Sequence, residues 1–362
     1  MKNKEYFLMK GNEAIAHAAI RCGCDGYFGY PITPQSEVLE TLALEKPWET
    51  TGMVVLQAES EVAAINMLYG GGGSGKRVMT SSSSPGIALM QEGLSYMAAC
   101  EIPALIVNVQ RGGPGLGTIQ PGQSDYNQAT VGGGNGDYNL PVLAPYSVQE
   151  MADFVEQAFQ LAFKYRTPVF ILSDGVIGQM MEKVCLPPFK PRRTEEEIYD
   201  ECPWAVNGHG LKGRQPNILS SLELDPLVME ERNRMLQEKF ARIRQEEQKW
   251  ECTLCDDAEY LFVAYGCVAR MAEEAVGQLR QEGMKVGLIR PITLWPFPQQ
   301  AFEQVLPHVR KILTCEMNSG QMVKDVKLAT HCRIPVEHYG RMGGVVPDPQ
   351  ELIDAMKQAV NS

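Results

Sequence analysis

No run in this 362-residue chain approaches the ~18 consecutive apolar residues that a membrane span requires. Positive charge is in deficit. The 33 Lys and Arg against 44 Asp and Glu leave a net charge of −11, which argues against a nucleic-acid binder, because that class shows a basic face. The opening residues, MKNKEYFLMKGNEAIAHA, carry neither the apolar core nor the cleavage site of a secretory signal, so a cytoplasmic location is expected. The 10 cysteines lack a cofactor pattern, since Cys22/Cys24 and Cys252/Cys255 are the only close pairs. A ferredoxin-type cluster needs repeated Cys-x₂-Cys runs and a structural zinc site needs two such pairs. Reduced and mostly buried thiols are therefore expected. No G-x-G-x-x-G follows a strand and opens a helix, so a nicotinamide site has no support.

Alternating strands and helices fill the remaining frame. Residues 11–190 read as a mostly parallel, doubly wound sheet with short Gly/Pro-rich connections. Residues 191–257 change character, with prolines giving way to the charged helical stretch ERNRMLQEKFARIRQEEQKWE, a linker rather than a core. Residues 258–362 begin a second, smaller α/β unit with the strand YLFVAYGC, a helix and the strand KVGLIRPIT. Within the first unit, GMVVL (52–56) reads as a short buried strand before a helix with Val62, Ile65 and Leu68 on its apolar face. RVMTSSSSPG (77–86) is a strand ending in a hydroxyl-rich turn, and PALIVNVQRGG (103–113) is a strand ending in Arg111. Ligands of open α/β sheets collect outside the carboxyl ends of the strands, so these turns should share one crevice. A carboxylate and a guanidinium there imply chemistry on a small anionic molecule.

Each motif has a plain structural reading beside the functional one. GGGGSGKR (70–77) imitates a phosphate-binding loop, but Arg77 stands where the magnesium-coordinating hydroxyl belongs and a helix precedes it, so a helix-to-strand connection is expected. Tyr30-Pro31-Ile32-Thr33-Pro34 is a rigid turn with Pro34 starting a helix, or a device presenting the Thr33 hydroxyl to a ligand oxygen. Glu59 and Glu61 are first-turn acids, or one is a desolvated carboxylate able to share a proton. Arg111 is a structural ion-pair partner, or it binds a carboxylate with its two-pronged fork. So long and irregular a stretch as 112–140 is either functional or disordered, and its Tyr, Gln and Asp content and its position after Arg111 favour an active-site loop.

YPITP, QAE, TSSSSPG and VQRGGPG in this order resemble the pyrimidine-binding domain of thiamine-diphosphate enzymes. More narrowly, the chain resembles the α-type subunit of 2-oxoacid:ferredoxin oxidoreductases. GGPGLGTIQPGQSDYNQA with GGGNGDY looks most like the subunit acting on branched 2-oxo acids such as 3-methyl-2-oxobutanoate. The resemblance implies a thiamine-diphosphate pyrimidine domain over 1–190 and a transketolase-C-like α/β domain over 258–362. It implies Glu59 at N1′ of the aminopyrimidine, with Glu61 as the alternative. Tyr30, Pro31, Ser83 and Ser84 would line the cofactor, and Thr33 and Arg111 would hold the substrate. The Gly-Asp-Gly and following asparagine that bind magnesium diphosphate are missing, Ser173-Asp174-Gly175 being the nearest approach, and this chain supplies no metal ligand. The resemblance thus places Mg²⁺ and the diphosphate half-site on a β-type subunit. It places [4Fe-4S] clusters on partners that include a γ subunit and a ferredoxin-like δ subunit, with coenzyme A as acyl acceptor. A 2-oxoglutarate-specific subunit is the alternative enzyme, and a non-catalytic scaffolding subunit the alternative of another class. The loop 112–140 contains no Lys or Arg to meet a second carboxylate, which favours an aliphatic substrate.

Overall fold

The computed structural model describes residues 5–207 and 214–361. Its strands are β1 (Phe7–Lys10), β2 (Gly26–Gly29), β3 (Val54–Gln57), β4 (Val78–Ser82), β5 (Ala104–Gln110), β6 (Val142–Leu143) and β7 (Pro168–Asp174), then β8 (Met181–Val184) and β9 (Trp250–Thr253). The remainder are β10 (Tyr260–Val263), β11 (Val286–Pro291), β12 (Thr293–Trp295), β13 (Lys311–Glu316) and β14 (Val336–Gly340). Seven strands form the main sheet in the order β12-β6-β7-β5-β4-β2-β3. All its pairings are parallel except that of β12 with β6. The central strands β4, β5 and β7 are buried along their whole length, as strands covered by helices on both faces must be. The doubly wound reading therefore holds.

The chain leaves β2 in one direction to reach β3 and then crosses back to β4 on the other side. The topological switch point lies between β2 and β4, where the ends of neighbouring strands splay into a crevice. A second sheet, β14-β13-β10-β11-β9, is parallel except for its edge strand β9. Its sequence neighbour β12 does not join it but completes the edge of the main sheet, so the two units interlock.

Three local expectations change. The helix after Tyr30-Pro31 spans Ser36–Glu45, so Pro34 lies ahead of it and not at its first position. The strand before Glu59 is not buried, because β3 is the edge of the main sheet and Val54 and Leu56 are exposed. The following helix, Glu61–Gly73, is capped by the Ser60 hydroxyl accepting from the Ala63 amide, and it turns Ile65 and Leu68 inward but Val62 outward. GGGGSGKR does form the helix-to-strand connection, with Gly75 at φ +82 where a Cβ would be strained.

Candidate active site

Three loops converge at the switch point. The Thr33 loop follows β2, the Ser83-Ser84 turn follows β4, and Arg111 follows β5. Arg111 is buried, and its guanidinium ties the loops together by donating from Nη1 to the Thr33 carbonyl (3.0 Å) and from Nη2 to the Leu116 carbonyl (2.9 Å). Its amide donates to the Ser84 hydroxyl (3.1 Å), which in turn donates to the Asp125 carboxylate (2.6 Å). Thr33 and Arg111 are thus neighbours, as expected. The fork is partly committed to protein carbonyls, however, and not wholly open to a ligand. Tyr30, Pro31 and Thr33 are exposed at the mouth.

The base of the Thr33 loop is braced from below. Asn12 and Gln179 donate to the Pro34 carbonyl (2.7 and 2.9 Å), and both also donate to Glu37. Burial opposes ionisation of Glu37, but hydrogen bonds from Gln179, Asn12 and Lys10 outweigh it and hold its carboxyl below the usual range. Asp125 shows the opposite balance. Burial pushes its carboxyl up, and the hydrogen bonds from Ser84 and Asn108 only moderate the rise. Neither residue stood out in the sequence, although Asp125 lies in the glycine-rich loop whose polar content hinted at function.

The two glutamates separate sharply. Glu59 lies between β3 and the capping Ser60 and is exposed. Glu61 occupies the first turn of its helix and is 7 % exposed, with its carboxylate beside Ser82 and the Ser83–Gly86 turn. A Cβ on Gly86 would come within 2.6 Å of Glu61 Oε1, so the missing side chain leaves room for that carboxylate. Among the described residues no hydrogen bond engages the Glu61 carboxylate. The Ser82 hydroxyl beside it is buried without a partner, as are the Ser83 hydroxyl and Arg111 Nε at the ends of the same strands. Buried polar groups without partners are costly, so such a cluster at a crevice fits a polar ligand that would satisfy them.

Asp174, the nearest approach to a magnesium motif, is fully engaged elsewhere. Its Oδ1 accepts the Val176 and Ile177 amides that start a helix, and its Oδ2 accepts the Cys267 amide of the second unit. Among the described residues no cluster of His, Cys, Asp and Glu could hold a metal. The two tyrosines of the loop 112–140 serve structural contacts. Tyr126 is buried and donates to Asp325 (2.6 Å), and the Tyr138 hydroxyl accepts the Gly134 amide. Between the units lies a cleft of ≈ 630 Å³, walled by Ser84, Gly113, Pro114 and Asp125 on one side and by Met317, Asn318 and Met342 on the other. Among the described residues no Lys, Arg or His lines it.

Residues 17–241 match the family described as pyruvate flavodoxin/ferredoxin oxidoreductase, thiamine-diphosphate-binding, and residues 258–352 match the pyruvate:ferredoxin oxidoreductase core domain II. The chain belongs to the 2-oxoacid:ferredoxin oxidoreductase family. Within that family it is 47 % identical to the ketoisovalerate oxidoreductase subunit VorB of Methanothermobacter thermautotrophicus, covering 97 % of each chain. It is 35 % identical to the 2-oxoglutarate synthase subunit KorA of the same organism, over 97 % of this chain and 98 % of that one. The solved 2-oxoglutarate:ferredoxin oxidoreductase of Magnetococcus marinus, with 2-oxoglutarate, coenzyme A and succinyl-CoA bound, superposes with a TM-score of 0.86 at 27 % identity. That match covers 99 % of this chain and 66 % of that chain. The family's thiamine-diphosphate-binding domain is therefore the main sheet, and its core domain II is the second unit. No described helix is long and apolar enough to cross a membrane.

Proposed function

We propose that this chain is the α-type subunit of a complex that oxidatively decarboxylates a branched 2-oxo acid, 3-methyl-2-oxobutanoate first, to its acyl-CoA. The observation that carries this reading is the relationship to ketoisovalerate oxidoreductase subunits, and the cleft that opens beside the Arg111 turn agrees with it, since its described lining offers no cation to a second carboxylate. When bound, thiamine diphosphate supplies the electron sink for loss of carbon dioxide. The buried Glu61 carboxylate and the unpartnered Ser82 and Ser83 hydroxyls are suited to hold its pyrimidine ring. Glu61 then shares a proton with N1′. Its burial and proximity to the crevice support it over Glu59, which stands on the exposed edge beside Leu56 and Val62. Arg111 positions the substrate carboxylate with the N–H groups it does not spend on Thr33 and Leu116, while Thr33 presents its hydroxyl at the mouth.

The diphosphate and its magnesium belong to a β-type subunit, since Asp174 is committed to capping. The same reading places the iron–sulfur clusters on γ and ferredoxin-like δ partners. The exposed apolar residues Val54, Leu56, Val62 and Met67, on the edge strand and the helix after it, suit coverage by such a subunit.

One observation favours a 2-oxoglutarate substrate instead. Arg341 precedes the Gly343-Gly344 turn, which packs so closely on Gly112 that a Cβ there would lie 2.6 Å from the Gly344 nitrogen. Arg341 is, however, paired with Glu351 (3.2 Å). Burying a second carboxylate without a free cation is costly, whereas each methylene in an apolar pocket is worth ~1–3 kcal/mol. Initial rates of coenzyme-A-dependent viologen reduction by the purified complex decide the matter. Branched 2-oxo acids should lead and 2-oxoglutarate should be strongly rejected. A panel led by 2-oxoglutarate would assign Arg341 to the substrate and overturn the proposal.

A further inference from the structure

We propose that Cys252 and Cys255 form a dithiol–disulfide couple on the exposed edge of the second sheet, able to exchange with a low-molecular-mass disulfide. Cys252 lies on the edge strand β9 and is exposed, while Cys255 is 5 % exposed and its thiol donates to the Leu288 carbonyl (3.2 Å). The chain between them reverses at Leu254, a non-glycine residue at φ 53, so the backbone turns back and carries both thiols on one tight turn. That strained turn is pinned from outside. Arg280 Nη2 donates to the Leu254 carbonyl (2.8 Å), and the His308 ring nitrogen lies 3.0 Å from the Cys255 carbonyl. These contacts fix the backbone of the turn that carries both cysteines.

The chemistry needs one accessible attacking thiol and one sheltered resolving thiol. Cys255, with help from Trp250, holds the Cys252 thiol below its usual range, against the opposing effects of burial and Asp256. Cys255 is itself pushed up, first by Cys252 and then by burial. The other close pair differs in kind. Cys22 and Cys24 are both buried, and burial pushes the Cys22 thiol up to about 12. In the exchange, the Cys252 thiolate attacks a sulfur of oxidised glutathione and one glutathione thiolate leaves. The Cys255 sulfur, giving up its proton, then attacks the Cys252 sulfur and the second glutathione leaves. Two protein thiols are oxidised and one glutathione disulfide is reduced. A ring this short restrains the unfolded chain little, and an exposed bond of that kind remains open to reduction.

The test uses the purified complex under anaerobic conditions with oxidised glutathione, followed by alkylation in denaturant and peptide mapping. In the wild type, the peptide holding Cys252 and Cys255 should resist alkylation and take up two alkyl groups only after reduction. In Cys255→Ser, Cys252 should instead stop at a retained glutathione. Cys332, exposed without a second cysteine in its turn, should also stop there in both proteins. Full alkylation of the wild-type pair before reduction, or a glutathione retained on wild-type Cys252, would overturn the proposal.

Discussion

Glu59 and Glu61 are two positions apart, and the pleat and helix start put one in solvent and the other in the crevice. Glu61→Gln keeps the size and hydrogen bonding of the side chain but cannot share a proton. Decarboxylation by the assembled complex should fall by the ~10²–10⁴-fold typical of a lost acid–base contribution, with assembly intact on size exclusion. Glu59→Gln should cost much less, and the reverse ranking would return the role to Glu59. Arg111 makes a different demand. Lysine can replace its charge but not its planar geometry, and Arg111→Lys also abandons one of the two carbonyls it clamps. KM for the 2-oxo acid should rise more than the apparent affinity for thiamine diphosphate falls. Unchanged KM and kcat would reduce Arg111 to a structural tie.

Polar contacts brace the elements around the site. Glu37, in the first turn of the helix Ser36–Glu45, collects Lys10, Asn12 and Gln179 and so fixes the Pro34 carbonyl beneath the Thr33 loop. Losing a charged hydrogen-bond acceptor of this kind should cost ~1.5–3 kcal/mol near neutral pH. Because the folded carboxyl titrates below its unfolded value, that stability is present above the ordinary carboxylate range and disappears as pH falls through the lowered folded value. Denaturant unfolding of wild type and Glu37→Gln should therefore differ at pH 7 and converge in acid. A gap that persists or widens in acid would mean the contacts act by packing instead.

At the scale of the molecule, the proposed function has the chain presenting half of a site. The Ser82 and Ser83 hydroxyls are buried without partners, Asp174 in the nearest approach to a magnesium motif is a helix cap, and none of the 10 cysteines is grouped as cluster ligands require. The isolated subunit should be colourless and bind thiamine diphosphate weakly, with or without magnesium, by calorimetry. Adding the β-type partner should restore tight, magnesium-dependent binding. Tight binding by the subunit alone would contradict the divided site.

Much of this was legible in the residues. The alternation of buried apolar runs with amphipathic segments fixes a doubly wound sheet, because a strand covered on both faces must be apolar throughout, as β5 and β7 are. The turns carrying Thr33, Ser84 and Arg111 could be placed at strand ends, and strand ends in such sheets meet at one crevice. The order of strands was not legible, and it decided the rest. β3 sits at an edge, so Glu59 is exposed, while the crossing back to β4 brings Glu61 against the Ser83–Gly86 turn. Nor could periodicity show that β12 leaves its own unit to pair with β6, or that Asp174 caps a helix and reaches Cys267. Local pattern determines which face of an element is buried. Only the tertiary pairing, a matter of contacts distant in sequence, decides what that face is buried against.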